Sequence, residues 1–251
     1  MTVPALSSAV ALALVAVFLA WPAPIVLSRA AWPARAPARA LILWQVIALA
    51  GGLSMIGALW LLADAFIPEH PLIAGIPAAL LALYLIAHLV VTVVRFERQR
   101  RRHLQLLLLL SSPDPTRKAT LVLDDNAPVA YCLPRGIGSV TVLSKGLFDS
   151  LGPDELDAVI AHERAHVEQR HEVLLVSFKA WRSALPWFPM AARAEGEVEA
   201  LVEMLADDHA RRTQPDEVLA RAILQIGRVE GEGSSSRRNR QVDRFRRLSA
   251  G

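Results

Sequence analysis

Three long apolar stretches in the first hundred residues constrain this chain more than any other feature. They cover about residues 4–27, 40–63 and 72–94, and no Asp, Glu, Lys or Arg interrupts them. Each supplies the roughly 20 apolar residues needed to cross a bilayer. In hydrocarbon the backbone must satisfy its own donors and acceptors, so each is expected to be a helix. Gln45 and His88 are their most polar members, and His88 reads as a histidine packed between helices. Trp21, Trp44 and Trp60 suit anchors at the membrane interface.

The loops orient these spans. Arg29, Arg35 and Arg39 lie between the first and second, with no acid among them. Asp64, Glu69 and His70 follow the second; Arg95, Arg98, Arg100, Arg101 and Arg102 follow the third. The positive-inside rule then predicts a multi-pass protein of the plasma membrane, with its N-terminus outside and everything beyond Arg95 cytoplasmic. The first stretch lacks the basic start of a signal peptide.

Composition divides the chain. A membrane region of three spans is expected over 1–103, a soluble domain over 104–228, and a flexible basic tail over 229–251. The net charge of +3 comes largely from arginines beside apolar stretches and in the tail. That points to a membrane-adjacent face, and direct nucleic-acid binding is not expected. Cys132 is the sole cysteine, which excludes an internal disulfide and fits a reducing compartment. It reads as a structural, half-buried thiol.

The soluble part is expected to be mainly α with a small β-sheet. Leu104 to Leu110 extend the third helix, and Ser111-Ser112-Pro113-Asp114-Pro115 reads as a break. Residues 119–123, 127–133 and 139–143 are short β-like runs, separated by turn residues around Asp124 and Gly136. The stretch 173–190 is apolar but carries Lys179 and Arg182 before Pro186 and Pro189. It reads either as a hairpin at the membrane surface, anchored by Trp187 and Phe188, or as an ordinary buried helix pair. Glu230-Gly231-Glu232-Gly233 followed by three serines reads as a linker. The arginines behind it (237, 238, 240, 244, 246 and 247) are expected to be disordered, with contact to lipid or substrate as alternatives.

Chemistry concentrates in His162-Glu163-Arg164-Ala165-His166. Gly152 suits an N-cap and Pro153 the first helical position, with Asp154 and Glu155 at the positive end of the macrodipole. On such a helix His162 and His166 share a face and can hold one ion, while Glu163 can act on a water beside it. Two neutral imidazoles suit one Zn2+, which lowers the pKa of its water to about 7. Zinc held this way lacks one protein ligand. Glu203 is the choice, on a helix expected over about 195–211, with Glu199 the runner-up. Asp207, one turn beyond Glu203, is placed to orient a ligating histidine. His171 and His209 are expected to point away from the metal.

Taken together, several stretches resemble the BlaR/MecR-type membrane metallopeptidases. They are Tyr131-Cys132-Leu133-Pro134, Ser139 to Ser144 leading to Gly146-Leu147, Glu155-Leu156, the His162–His166 motif, and Pro186-Trp187-Phe188 with Met190. Glu203, Ala206, Asp207 and Ala210 are similar to the third-ligand motif of HtpX-type proteases. The resemblance implies a cytoplasmic zincin-like (gluzincin) α+β domain with His162, His166 and Glu203 on zinc and Glu163 as base. It also implies a protein substrate: the chain itself or a winged-helix repressor. No penicillin-binding sensor domain is expected after the protease, so β-lactam sensing by this chain is not. Two other readings are an HtpX-like quality-control protease and a catalytically silent scaffold for a regulator.

Overall fold

The computed structural model describes residues 3–135, 138–229, 242 and 244–249. The chain divides into two units, one of Met1–Arg95 with Leu175–Leu201, the other of Phe96–Leu174 with Val202–Gly251.

The first unit is built from the apolar stretches. Helix α1 (Val3–Ala20) continues past Trp21 as α2 (Pro22–Arg29), and α3 spans Pro37–Phe66. A short α4 (Pro71–Ala74) leads into α5, which runs Ile76–Leu110 and leaves the unit at Arg95. Pro22, Pro37 and Pro71 stand at the starts of their helices, where no amide donor is lost. Three segments, Pro4–Arg29, Pro37–Phe66 and Pro71–Leu110, are long and apolar enough to cross a membrane. Their outward side chains are bare, Leu14 at 66 %, Leu49 at 65 % and Leu80 at 61 % exposure, which suits contact with lipid and not with water. These helices mark the chain as a membrane protein.

Leu175–Leu201 also belongs to this unit. Sequence groups 173–190 with the soluble domain; in the structure most of it packs on the apolar helices. Its members are the later part of α8 (His171–Ala184) and the earlier part of α9 (Pro189–Ala210). The reason lies in α3. A Cβ on Gly52 would stand 3.0 Å from the Trp181 indole, so any larger residue would push that ring back by a few tenths of an ångström. Ser177 Oγ donates to Gln45 Oε1 at 3.3 Å, and Tyr84 Oη donates to the Ala184 carbonyl at 2.6 Å. His88 Nδ1 lies 3.1 Å from Ser183 Oγ. The polar groups inside the spans are thus matched by polar groups of this hairpin.

The second unit holds a four-stranded sheet in the order β1-β2-β4-β3. Strands β2 (Thr120–Leu123), β3 (Ala130–Arg135) and β4 (Gly138–Ser144) are the expected runs, while β1 (Ser111–Pro113) falls where a break was read. Proline is tolerated there because β1 is an edge strand. β2 pairs parallel with β4, and β1 and β3 pair antiparallel with their neighbours. The sheet is followed by α6 (Lys145–Ser150), α7 (Pro153–Glu168) and, after α9, α10 (Asp216–Val229). Gly136 lies outside the described residues, so the turn read around it does too.

Ser144 sets the entry to these helices. Fully buried, it caps α6 by accepting from the Leu147 amide at 3.2 Å, accepts from the Val129 amide at 2.8 Å and donates to the Ala127 carbonyl at 2.6 Å. Gly146 must be glycine, since a Cβ would meet the Asn126 carbonyl oxygen at 1.9 Å. Cys132 sits 9 % exposed in β3 with its sulfur 3.3 Å from Thr141 Oγ1, and burial raises its pKa above the ordinary value. A buried thiol is a poor nucleophile. Iodoacetamide is therefore expected to label the native chain at least about 10-fold more slowly than the denatured chain, measured by mass spectrometry at neutral pH.

The core positions α7. Leu156, Val159 and Ile160 pack with Leu143, Leu147, Leu151 and Ala222. On another side Ala158 joins Ala210, Leu219 and Ile223, with Leu248 and Phe245 of the helical residues 244–249. Ala158 and Ala210 are wholly buried. Both stand in the core that α7 and α9 share with α10.

Candidate metal centre

Helix α7 starts as its sequence indicates. Gly152 is the N-cap, Pro153 follows, and the Glu155 carboxylate accepts from the Gly152 amide at 2.9 Å. Leu156, Val159 and Ile160 turn to the core, and His162, Glu163 and His166 continue that face one to two turns further along the helix.

Three donor groups converge there. His162 Nε2 and His166 Nε2 are 3.2 Å apart; Glu203 Oε2 is 3.4 Å from the first and Glu203 Oε1 is 3.5 Å from the second. Tetrahedral zinc with ligands at about 2.0–2.1 Å separates them by about 3.3–3.4 Å. The observed spacings fit that figure, and His162, His166 and Glu203 form a group that could hold a metal ion. Glu199, one turn earlier on α9, is not in the group. Asp207, 1 % exposed, accepts from His162 Nδ1 at 2.9 Å, leaving Nε2 to face the other donors.

The electrostatics follow from burial and from these partners. Burial opposes a charge on His162, but hydrogen bonds to Asp207 and Glu203 outweigh it and raise its pKa to about 9. His166, mainly through burial, falls to about 4 and is neutral at physiological pH. Burial lifts Glu163 to about 7, assisted by the nearby Glu203 charge and opposed by that of His162. Glu203 and Asp207 resist the same burial cost because His162 and Arg244 face them, and both are held well below the ordinary carboxylate range.

Two residues of the site escaped sequence reasoning. Arg244 belongs to the stretch expected to be disordered, yet its guanidinium grips Asp207 through Nε at 2.8 Å and Nη2 at 2.7 Å, with Nη1 3.0 Å from Glu203. Arg247 beside it makes a fork to Asp208, with both contacts at 2.7 Å. Here 244–249 departs from the tail predicted over 229–251, because buried acids on α9 attract guanidiniums and Leu248 supplies an apolar anchor. The linker read at 230–236, and Arg237, Arg238 and Arg240, lie outside the described residues. No spacing rule joins Arg244 to Asp207.

His171 is the second. An uninterrupted α7 would turn it away from the metal face, but α7 stops at Glu168. Arg170 then takes a left-handed conformation with φ 50°, and α8 begins at His171. The reversal brings His171 Nδ1 to 3.0 Å from His166 Nδ1. Arginine in that conformation carries a steric cost that glycine avoids, about 1 kcal/mol. Arg170→Gly is expected to raise the melting temperature by roughly 2–4 °C in a thermal scan. His209 bonds Gln169 and Glu168 and is not in the group of His162, His166 and Glu203.

A pair of imidazoles and a carboxylate around one point, with a half-buried acid next to the first imidazole, could hold a metal ion. The chain belongs to peptidase family M48, whose sequence profile matches residues 94–220, just over half of it. M48 peptidases are zinc-dependent. No curated protein and no solved structure matches the chain. The matching family is thus M48, and the narrower BlaR/MecR likeness is left to the motifs quoted above.

Proposed function

We propose that this chain is a membrane-anchored zinc endopeptidase in which His162, His166 and Glu203 bind the ion, Glu163 is the base, and Asp207 orients His162. The convergence of two imidazole nitrogens and one carboxylate within ligand-to-ligand reach carries the reading. Bound there, zinc would polarise a peptide carbonyl and make water acidic enough to lose a proton near neutral pH. Glu163, lifted to about 7, is matched to take a proton from water and return it to the leaving amine. Strand β3 supports an extended substrate: among the described residues it lies at the sheet edge and pairs with β4 alone. A peptide could add to its open side by main-chain hydrogen bonds.

The arginine pattern of the loops supports a cytoplasmic peptidase domain and an outward N-terminus. The likeness to BlaR/MecR-type enzymes supports regulated cleavage of a transcriptional repressor, or of the chain itself. The test is proteomics of newly formed N-termini in cells carrying the native chain or Glu163→Gln. One Glu163-dependent cut in a regulator is expected. Cuts scattered over many membrane proteins would mean quality control instead, and no Glu163-dependent cut would leave only a scaffold.

A further inference from the structure

The contacts of His171 extend beyond His166 in a directed series. Resting on the zinc reading, His166 must offer Nε2 to the ion, so its Nδ1 carries the hydrogen and needs an acceptor. His171 Nδ1 stands there at 3.0 Å. As acceptor it leaves the His171 hydrogen on Nε2, which donates to Gln169 Oε1 at 2.9 Å. That orients the Gln169 amide, whose Nε2 donates to His209 Nδ1 at 2.9 Å. His209 Nε2 then donates to Glu168 Oε2 at 3.0 Å. Each contact of the series pairs one donor with one acceptor, and the series ends on a carboxylate 59 % exposed.

We infer that His171, Gln169 and His209 are positioning residues that hold His166 in its metal-binding tautomer and tie it to the Glu168 carboxylate. The two imidazoles are then oriented by different means. His162 leans directly on the buried charge of Asp207, whereas His166 reaches a carboxylate only at the surface, through three intervening side chains. His171 itself is 1 % exposed, so no water competes for its ring. The backbone reversal at Arg170 is what brings it beneath His166.

The experiment uses the full chain purified in detergent, with zinc affinity read by competition against a chromophoric chelator and apo stability read by melting. His171→Leu removes the acceptor but keeps an apolar filler, and is expected to weaken zinc binding about 10–100-fold. His171→Asn places an amide oxygen where Nδ1 stood and is expected to restore binding to within about 3-fold of native. Gln169→Leu, at a half-buried helix end, is expected to weaken zinc about 3–10-fold. A purely structural role would lower apo melting while leaving all zinc affinities alike, and that result overturns the inference. Equal weakening by Asn and Leu at 171 overturns it too. If His171→Leu does not fold, Gln169→Leu and His171→Asn decide: loss in the first with retention in the second supports the series, and unchanged affinity in the first refutes it. Failure of the native chain to bind zinc would refute the metal reading itself, which is a separate outcome.

Discussion

Glu163→Gln is expected to lower kcat for peptide-bond cleavage by about 10³-fold or more while the chain keeps its zinc. Glutamine matches glutamate in shape but cannot accept a proton at any working pH. The three side chains grouped for the ion are His162, His166 and Glu203, and this substitution touches none of them. Zinc content measured by metal analysis should therefore stay near one per chain. Cleavage of a fluorogenic peptide by the purified protein gives kcat. Persistent turnover would remove Glu163 from the chemistry. Loss of both zinc and turnover would mean that the residue holds the metal or the fold, and the assignment of roles would have to change.

The second large effect concerns Arg244. Asp207 is 1 % exposed, and the Arg244 guanidinium makes a two-bond fork to its carboxylate. Removing one partner of a buried pair leaves an uncompensated charge, which costs about 3–5 kcal/mol. Arg244→Met is expected to lower the melting temperature by roughly 6–12 °C or more. The control is Arg247→Met. Its partner Asp208 is 33 % exposed, so water screens the charge left behind, and a cost of about 1 kcal/mol or less is expected. Equal losses from the two substitutions would show that burial of Asp207 does not set the balance. Both arginines stand in a stretch whose composition suggests disorder, so the comparison also tests whether 244–249 is part of the folded domain.

The apolar stretches, the α7 start and the three main strands are legible in the sequence because each is a local matter. A run of twenty apolar residues, a Gly-Pro-Asp-Glu start and β-branched runs between turns act over short distances. The pair His162 and His166 is equally local, since helical spacing alone sets them on one face. Glu203 needed one further step, the rule that zinc held by two imidazoles lacks a ligand, and its choice over Glu199 rested on the register of a helix 40 residues away. Helix geometry cannot decide that register; the core that α7 and α9 share with α10, through Ala158, Ala210 and Leu219, does.

His171 and Arg244 show where local reasoning stops. The position of His171 depends on one residue, Arg170, adopting a left-handed conformation that arginine rarely takes. Nothing in the identity of Arg170 announces this, and an unbroken helix would send His171 elsewhere. Arg244 reaches Asp207 across 37 residues, with no local spacing to link the two. Burial of an acid creates the demand for a guanidinium, but only folding decides which arginine supplies it.

The amino-acid sequence by itself determined that this chain enters a bilayer and carries a histidine pair able to grip a metal, because spans and helix faces follow from neighbouring residues. Which acid comes within reach of the pair, what each imidazole touches, and that Arg244 and Arg247 bind acids of α9 were decided by tertiary structure. Those features depend on elements meeting at distances of about 3 Å, and such meetings are set by packing of the whole core.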